Sequence, residues 1–164
     1  MATIEIFDRA GDVPADAWDA CAGGSNPFVA HAFFDALERS GSATPQTGWT
    51  PRHLALRVDG AIAGILPAYL KTHSQGEYVF DHGWADALNR AGGRYYPKWQ
   101  AAVPFSPVPG PRLLGAGGPD LLAAAIAETA RMGLSSLHAT FIEPAQVPLF
   151  EQAGFLIRQD QQFH

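Results

Sequence analysis

The sequence predicts a mixed α/β (α+β) domain, a mostly antiparallel sheet flanked by helices, and three observations predict it. Short runs alternate apolar and polar residues with period two, as half-buried strands do. Other segments place apolar residues three and four apart, as helices packed on a sheet do. Turn residues separate the two kinds at short intervals. The order reads β-α-α-β-β, then an irregular excursion, then β-α-β-α-β.

Thr3 to Phe7 alternates as a strand, and Pro14 stands where a helix begins, leading into Ala15 to Cys21. After the turn residues GGSNP, a helix from His31 to Ser40 places Phe33, Phe34 and Leu37 on one face and stops at Gly41. Residues 41–51 are polar and turn-rich. Beyond them LALRV and AIAGILPAYLK flank Asp59-Gly60, a dipeptide that tolerates the positive φ of a tight hairpin turn.

Residues 72–118 fit neither a clean helix nor a clean strand, yet they gather aromatics, carboxylates, a lysine and prolines. Long irregular segments on a rigid scaffold carry function more often than the elements they join. Within this excursion, Gln100 to Val103 reads as a strand, and Pro104 ends or splays its pairing and opens a gap. Pro119 starts a helix in which Leu122, Ile126 and Thr129 share a face up to Gly133. SLHATFI reads as a strand, VPLFEQ as a short helix closed at Gly154, and Phe155 to Gln159 as a last strand.

The chain of 164 residues is the size of one domain, so residues 1–164 form a single unit with the excursion inserted in it. The charged share is 16%, low for a soluble domain, and points to surface covered by a partner. A net charge of −5 without a Lys/Arg cluster argues against a DNA-binding surface. Cys21 is the single cysteine, so no intramolecular disulfide forms and a reducing, cytoplasmic setting is expected. The most apolar window, AIAGILPAYL, is too short to span a membrane, and no signal peptide is expected.

The blocks NPFVAHAFFDALERSGS, TGWTPRHLALR, LPAYLKTHSQGEYVFDHGWADA, RYYPKWQAAVPFSPVPGPRLL and QQFH, with the closing Phe150, Gly154 and Phe155 pattern, cover most of the chain. They resemble the FemAB-like predicted N-acyltransferases of bacteria, within the GNAT superfamily. The resemblance implies a GNAT-like fold and transfer of an acyl or aminoacyl group to an amine. It also implies that this chain corresponds to the N-terminal half of a longer, two-part enzyme. No tightly bound cofactor is implied; acyl-CoA or aminoacyl-tRNA serves as co-substrate. The implied partners are a small-molecule or peptide amine acceptor and either a second copy in a homodimer or a complementary C-terminal half.

Such a transfer needs a base for the ammonium proton and donors for the carbonyl oxygen. Glu77 and Asp81 stand four apart among aromatics and are the leading bases; Tyr95 and Tyr96 complete the candidate catalytic set. The bland alternative is that the carboxylates cap turns or pair with Lys71, Arg94 or Lys98, and that the tyrosines simply pack. Tyr78, Trp84, Asp86, Lys98 and Phe105 are candidate substrate contacts. Val103, Gly110, Arg112, Gly115, Gly117 and Gly118, before the helix at Pro119, are candidates for holding a cofactor's phosphates. An ordinary proline-rich turn and cap explains that stretch as well, and Asp120 in the first turn repels an anion. The six histidines show no ligand spacing, so no metal is expected, the nearest set being Glu77, Asp81 and His82. The competing reading is a noncatalytic domain that binds a peptide or sugar-peptide, or dimerises, through Tyr78, Trp84, Tyr95, Tyr96 and Trp99.

Overall fold

The computed structural model describes residues 1–79 and 81–159; Phe80 and the QQFH block lie outside them. Strands β1 (Ala2–Phe7), β3 (His53–Val58), β4 (Ala61–Leu66) and β7 (Leu114–Gly115) form one antiparallel sheet in the order β1-β3-β4-β7. A second sheet orders β2 (Trp49–Pro51), β5 (Ala68–Lys71), β6 (Lys98–Ala101) and β8 (Leu137–Ala139) as β2-β5-β6-β8. Its β6–β8 pair is parallel, and the others are antiparallel.

One long hairpin crosses both sheets. Arg52 alone separates β2 from β3, and Pro67 alone separates β4 from β5. Its turn is the predicted one, with φ of 50° at Asp59 and 87° at Gly60. Pro67 has no N–H to donate, so the ladder breaks there. The backbone N–H of Arg52 carries it on by donating to the Ala68 carbonyl at 2.9 Å. At this break the outer neighbour of the hairpin changes. β6 leaves after Ala101, and the chain returns as β7 at Leu114, which is the splaying that Pro104 predicts.

Side chains alternate across the strands and divide the core into two faces. Ala55, Ile65 and Tyr69 face Trp18, Phe34 and Trp49, under α1 (Ala15–Ala22) and α2 (His31–Arg39). Leu54, Leu56, Leu66 and Trp99 face Leu121, Leu122 and Phe150, under α4 (Gly118–Arg131) and α5 (Val147–Gln152). Helix α3 (His82–Arg90) lies inside the excursion, where no helix is expected. Ala85 is its one buried residue; Trp84, Ala85 and Leu88 share a face, but Trp84 and Leu88 remain exposed.

Three boundaries differ from expectation. The strand expected at Gln100 to Val103 starts earlier, because Lys98 and Trp99 are interior residues despite the charge. In α4 the buried residues include Leu121, Leu122 and Ala125, and Ile126 is 41% exposed. Residues 155–159 form no ladder among the described residues, although Phe155 and Ile157 pack inward and Leu156 is exposed, the alternation that predicts a strand.

Helix α2 is fastened to the sheet by a buried polar network. Glu38 Oε1 accepts from the His53 ring at 2.8 Å and from the Tyr69 hydroxyl at 3.0 Å, and Glu38 Oε2 accepts from the Ala10 N–H at 2.7 Å. The Ala68 N–H donates to His53 Nδ1 at 3.1 Å, which leaves Nε2 as the protonated nitrogen facing Glu38. Burial first, and then the Glu38 carboxylate, raise the Tyr69 hydroxyl well above its ordinary range, so it stays a donor. Replacing Glu38 by Leu strands three donors at once. The expected cost is about 3 kcal/mol in urea unfolding, and Glu38→Gln, which keeps an acceptor, costs less.

Candidate functional site

Beyond Tyr69 and Gln100, the sheet face shared with α1 and α2 ends in two lysines. Lys71 and Lys98 are direct partners across β5 and β6, and both are fully buried. Like charges opposite one another in a ladder repel, and burial removes the water that screens them. Two carboxylates from the following segment answer them. Lys98 Nζ donates to Asp81 Oδ2 at 2.6 Å, to Glu77 Oε2 at 2.9 Å and to Ser74 Oγ at 3.0 Å, which uses all three of its protons. Lys71 Nζ lies 3.9 Å from Glu77 Oε1, donates to the Gln75 carbonyl at 3.3 Å, and sits over the Trp49 ring at 3.5 Å.

The tyrosines close the cluster. Tyr95 donates its hydroxyl to Asp81 Oδ2 at 2.8 Å, and Tyr96 shares a hydrogen bond with Ser74 at 2.6 Å. Among the described residues, Glu77 Oε1 and Asp81 Oδ1 are buried without a hydrogen-bond partner. An orphaned carboxylate oxygen marks a place where a donor belongs.

These contacts separate the two carboxylates. At Glu77 burial raises the pKa, against the pull of Lys98 and Lys71. At Asp81 burial also pushes upward, but bonds from Lys98, Ser74 and Tyr95 outweigh it and hold the group below its ordinary range. Burial lowers Lys71 to about 8, with Glu77 opposing and Lys98 assisting. Tyr95 is raised by burial and by Asp81, so it keeps its proton.

The expected residues therefore fall into groups. Glu77, Asp81, Tyr95, Tyr96 and Lys98 come together, and the pairing with Lys98 weighed from the sequence is present. Tyr78 and Trp84, at 48% and 64% exposed, stand outside the cluster, with the Arg158 guanidinium 5.4 Å from the Trp84 ring. Asp86 faces solvent on α3. Phe105 packs on Trp49 with ring centroids 5.4 Å apart, and its N–H donates to the Gly76 carbonyl at 3.1 Å.

The glycine-rich connection is built differently from a phosphate cradle. Arg112 is 2% exposed, and its guanidinium donates to the carbonyls of Thr140, Pro111 and Val108 at 2.8, 3.1 and 3.0 Å. Burial lowers it to about 10. Its guanidinium is committed to these backbone carbonyls. Gly110 is paired through its backbone with Phe141 and Glu143, and Val103 is in the core. At Gly117, with φ of 70°, a Cβ would lie 2.1 Å from Leu56, and at Gly118 one would touch Leu113 and Leu149. Gly115 has φ of 76° beside the Ala63 carbonyl and Cys21. These glycines serve close packing.

Sequence reasoning did not single out Lys71 or Ser74 as site residues. Their signal lay in the pattern, since Lys71 falls on the inward phase of the strand that contains Tyr69. A recess of about 220 Å³ adjoins the cluster, lined by Arg94, Tyr96, Pro97, Gly133 and Ser135. A larger one, about 440 Å³, lies between α4 and α5 on the opposite face of the sheet, away from these charges.

Comparison with known proteins adds three findings. A family model described as FemAB_like, peptidoglycan biosynthesis/recognition, matches residues 9–164. The structure is similar to that of a ribosomal-protein-alanine N-acetyltransferase from Brucella melitensis biovar Abortus 2308, with a TM-score of 0.58 at 12% identity over 100% of this chain and 98% of that one. The GNAT-like fold is thus shared. No curated protein matches by sequence. The family match supports a transferase role. Among the described residues, no helix is long and apolar enough to cross a membrane.

Two outcomes are expected of this site. Lys98→Met leaves two carboxylates buried without their cation and should lower stability by about 3–5 kcal/mol in denaturant titration. His138, beside Tyr95, is lowered to about 4 by burial and then by Lys98. The unfolded chain takes up this proton near the ordinary histidine value of 6.5, so stability should fall as pH drops from there toward 4. In His138→Gln that stretch of the profile should flatten.

Proposed function

Because the chain belongs to the FemAB-like family, we propose that it is a transferase domain that moves an acyl or aminoacyl group onto an amine, with Glu77 as the base. One observation carries the proposal: Glu77 is held at one carboxylate oxygen by Lys98 while its other oxygen is buried and, among the described residues, without a hydrogen-bond partner. An acceptor ammonium offers the donor that this oxygen lacks. Burial raises the Glu77 pKa above its ordinary value, against the pull of Lys98 and Lys71, the direction that strengthens a base. Asp81 is the weaker base, since Lys98 and Tyr95 both donate to it. Its role is to fix Lys98, which in turn orients Glu77.

The recess beside Tyr96 is the proposed entry for the acceptor, because Tyr96, Ser74 and Lys98 run from it to Glu77 in one chain of hydrogen bonds. The family description supports a peptide or sugar-peptide amine as acceptor. For the donor, acyl-CoA and aminoacyl-tRNA remain the two chemical options. Arg112, the cation expected to meet a phosphate, is committed to backbone carbonyls, so the donor's anionic part rests on other residues. Homodimerisation or a complementary C-terminal half belongs to the same proposal, as does a cytoplasmic setting. The second reading, binding without turnover, draws on the exposure of Trp84.

Transfer from acetyl-CoA, longer acyl-CoAs and aminoacyl-tRNA to peptide amines tests the proposal. Glu77→Gln should lower kcat/KM by roughly 10²–10⁴-fold with the fold retained by circular dichroism. Asp81→Asn should cost less. Saturable acceptor binding by calorimetry with no transfer from any donor would establish the second reading instead.

A further inference from the structure

The chain contains two lysines, and both are fully buried in the same cluster; every other Lys/Arg position is arginine. Lysines normally lie at the surface, so a chain that places both of its lysines inside is using a property arginine lacks. A buried ammonium can release its proton, whereas a guanidinium in a protein does not.

The two lysines are not equivalent. Lys98 has all three protons directed at Ser74, Glu77 and Asp81, at 3.0, 2.9 and 2.6 Å, the geometry of a fixed cation. Lys71 makes one long bond, 3.3 Å to the Gln75 carbonyl, and otherwise faces the Trp49 ring and the partnerless Glu77 Oε1 at 3.9 Å. The titratable groups acting on it are Lys98 from β6 and Glu77, Asp81 and His73 from the segment after β5. The aromatic face favours the ammonium, but one long hydrogen bond and a carboxylate at 3.9 Å leave its protons less committed than those of Lys98.

We propose that Lys71 is the proton-accepting partner of Glu77, the group to which the acceptor's proton is passed on. The inference rests on the reading of Glu77 as base and adds a second residue to it. The acceptor R–NH3+ loses one proton to Glu77 through Oε1, and Glu77 passes it to Lys71 Nζ. The freed nitrogen pair forms the C–N bond to the acyl carbon. The bond from that carbon to the donor's leaving atom breaks, its electron pair stays on that atom, and the second nitrogen proton joins it there. Lys71 returns its proton to solvent after product leaves. Lys71 is thus a positioning residue for the proton and acts through Glu77, which explains why it need not touch the acceptor.

Because only two lysines exist, selective labelling of lysine with ¹³C at Cε yields two side-chain signals, and Lys71→Arg identifies which is which. The Lys71 signal should titrate with a midpoint about 8. The rising limb of the kcat/KM profile should follow that titration, and Glu77→Gln should move the midpoint down, since it removes the facing carboxylate. Lys71→Arg keeps the charge and should lower kcat/KM by roughly 10–100-fold. A Lys71 signal that stays in one charge state across the pH range of the folded protein would overturn the proposal on the wild-type chain alone. So would a folded Lys71→Arg that transfers at the wild-type rate. A Glu77→Gln variant with undiminished transfer would instead remove the base assignment itself, whatever Lys71 does.

Discussion

The buried ammonium of Lys98 is the constraint on which the rest of the site depends. It binds β6 to the segment after β5 and to Asp81, the residue that precedes α3, so three pieces of chain that share no ladder are held by one cation. Taking an ammonium and two carboxylates out of water costs several kcal/mol each before any attraction is counted. The cluster returns that cost only because every proton of Lys98 finds an oxygen at 3.0 Å or less. Remove the cation and the acids repel each other in a medium that screens them poorly. The position of Glu77, and of whatever it acts on, follows from that one nitrogen.

A break in the sheet makes the arrangement possible. Were the long hairpin paired with one neighbour along its whole length, the chain between Ala101 and Leu114 would have no reason to leave. Pro67 removes one ladder donor, the outer neighbour changes, and the intervening loop must satisfy its own carbonyls. Arg112 does that work for two of them, Val108 and Pro111, and ties the loop to the Thr140 carbonyl beyond β8. The same loop carries Phe105 back over Trp49 and Gly76, where Gly76 has φ of 77° and a Cβ would lie 2.6 Å from the Phe105 ring. A small residue at 76 is therefore what lets the loop cover the Lys71 end of the sheet.

Much of this was legible in the sequence, and the limits have physical reasons. The Asp59-Gly60 hairpin, the α2 stripe and the start of α4 at Pro119 are local signals, set by residues within a few positions, and they appear where the pattern puts them. Glu77, Asp81, Tyr95, Tyr96 and Lys98 were readable as a group because irregular segments dense in such residues gather at sites. Helix α3 was missed although Trp84, Ala85 and Leu88 fall on one helical face, because that stripe is short and lies inside a segment dense in glycines, prolines and charges. Arg112 and the glycines around it looked like an anion cradle because composition records which groups are present and says nothing of direction. From the sequence Lys71 is one of three possible ion-pair partners of the carboxylates, and its nitrogen lies 3.9 Å from Glu77 Oε1; its phase with Tyr69 in the strand is what turns it inward. The Glu38, His53 and Tyr69 network joins residues far apart in sequence, so no local pattern announces it.

Lys71 and Arg112 show two ways of burying a cation, and the contrast bears on what each is for. Arg112 meets three carbonyls, dipoles that want a permanent donor, and its planar fork matches them; burial lowers it only to about 10, so it stays charged at any physiological pH. Lys71 meets an aromatic face, one carbonyl at long range, and a carboxylate just beyond hydrogen-bond distance. Such surroundings do not offset burial, which lowers it to about 8. A fold that needed only a positive charge opposite Lys98 would gain more from the first kind of environment than from the second. The second kind makes sense where the charge has to change, and the partnerless oxygen of Glu77 beside it is the group with which a proton can be exchanged.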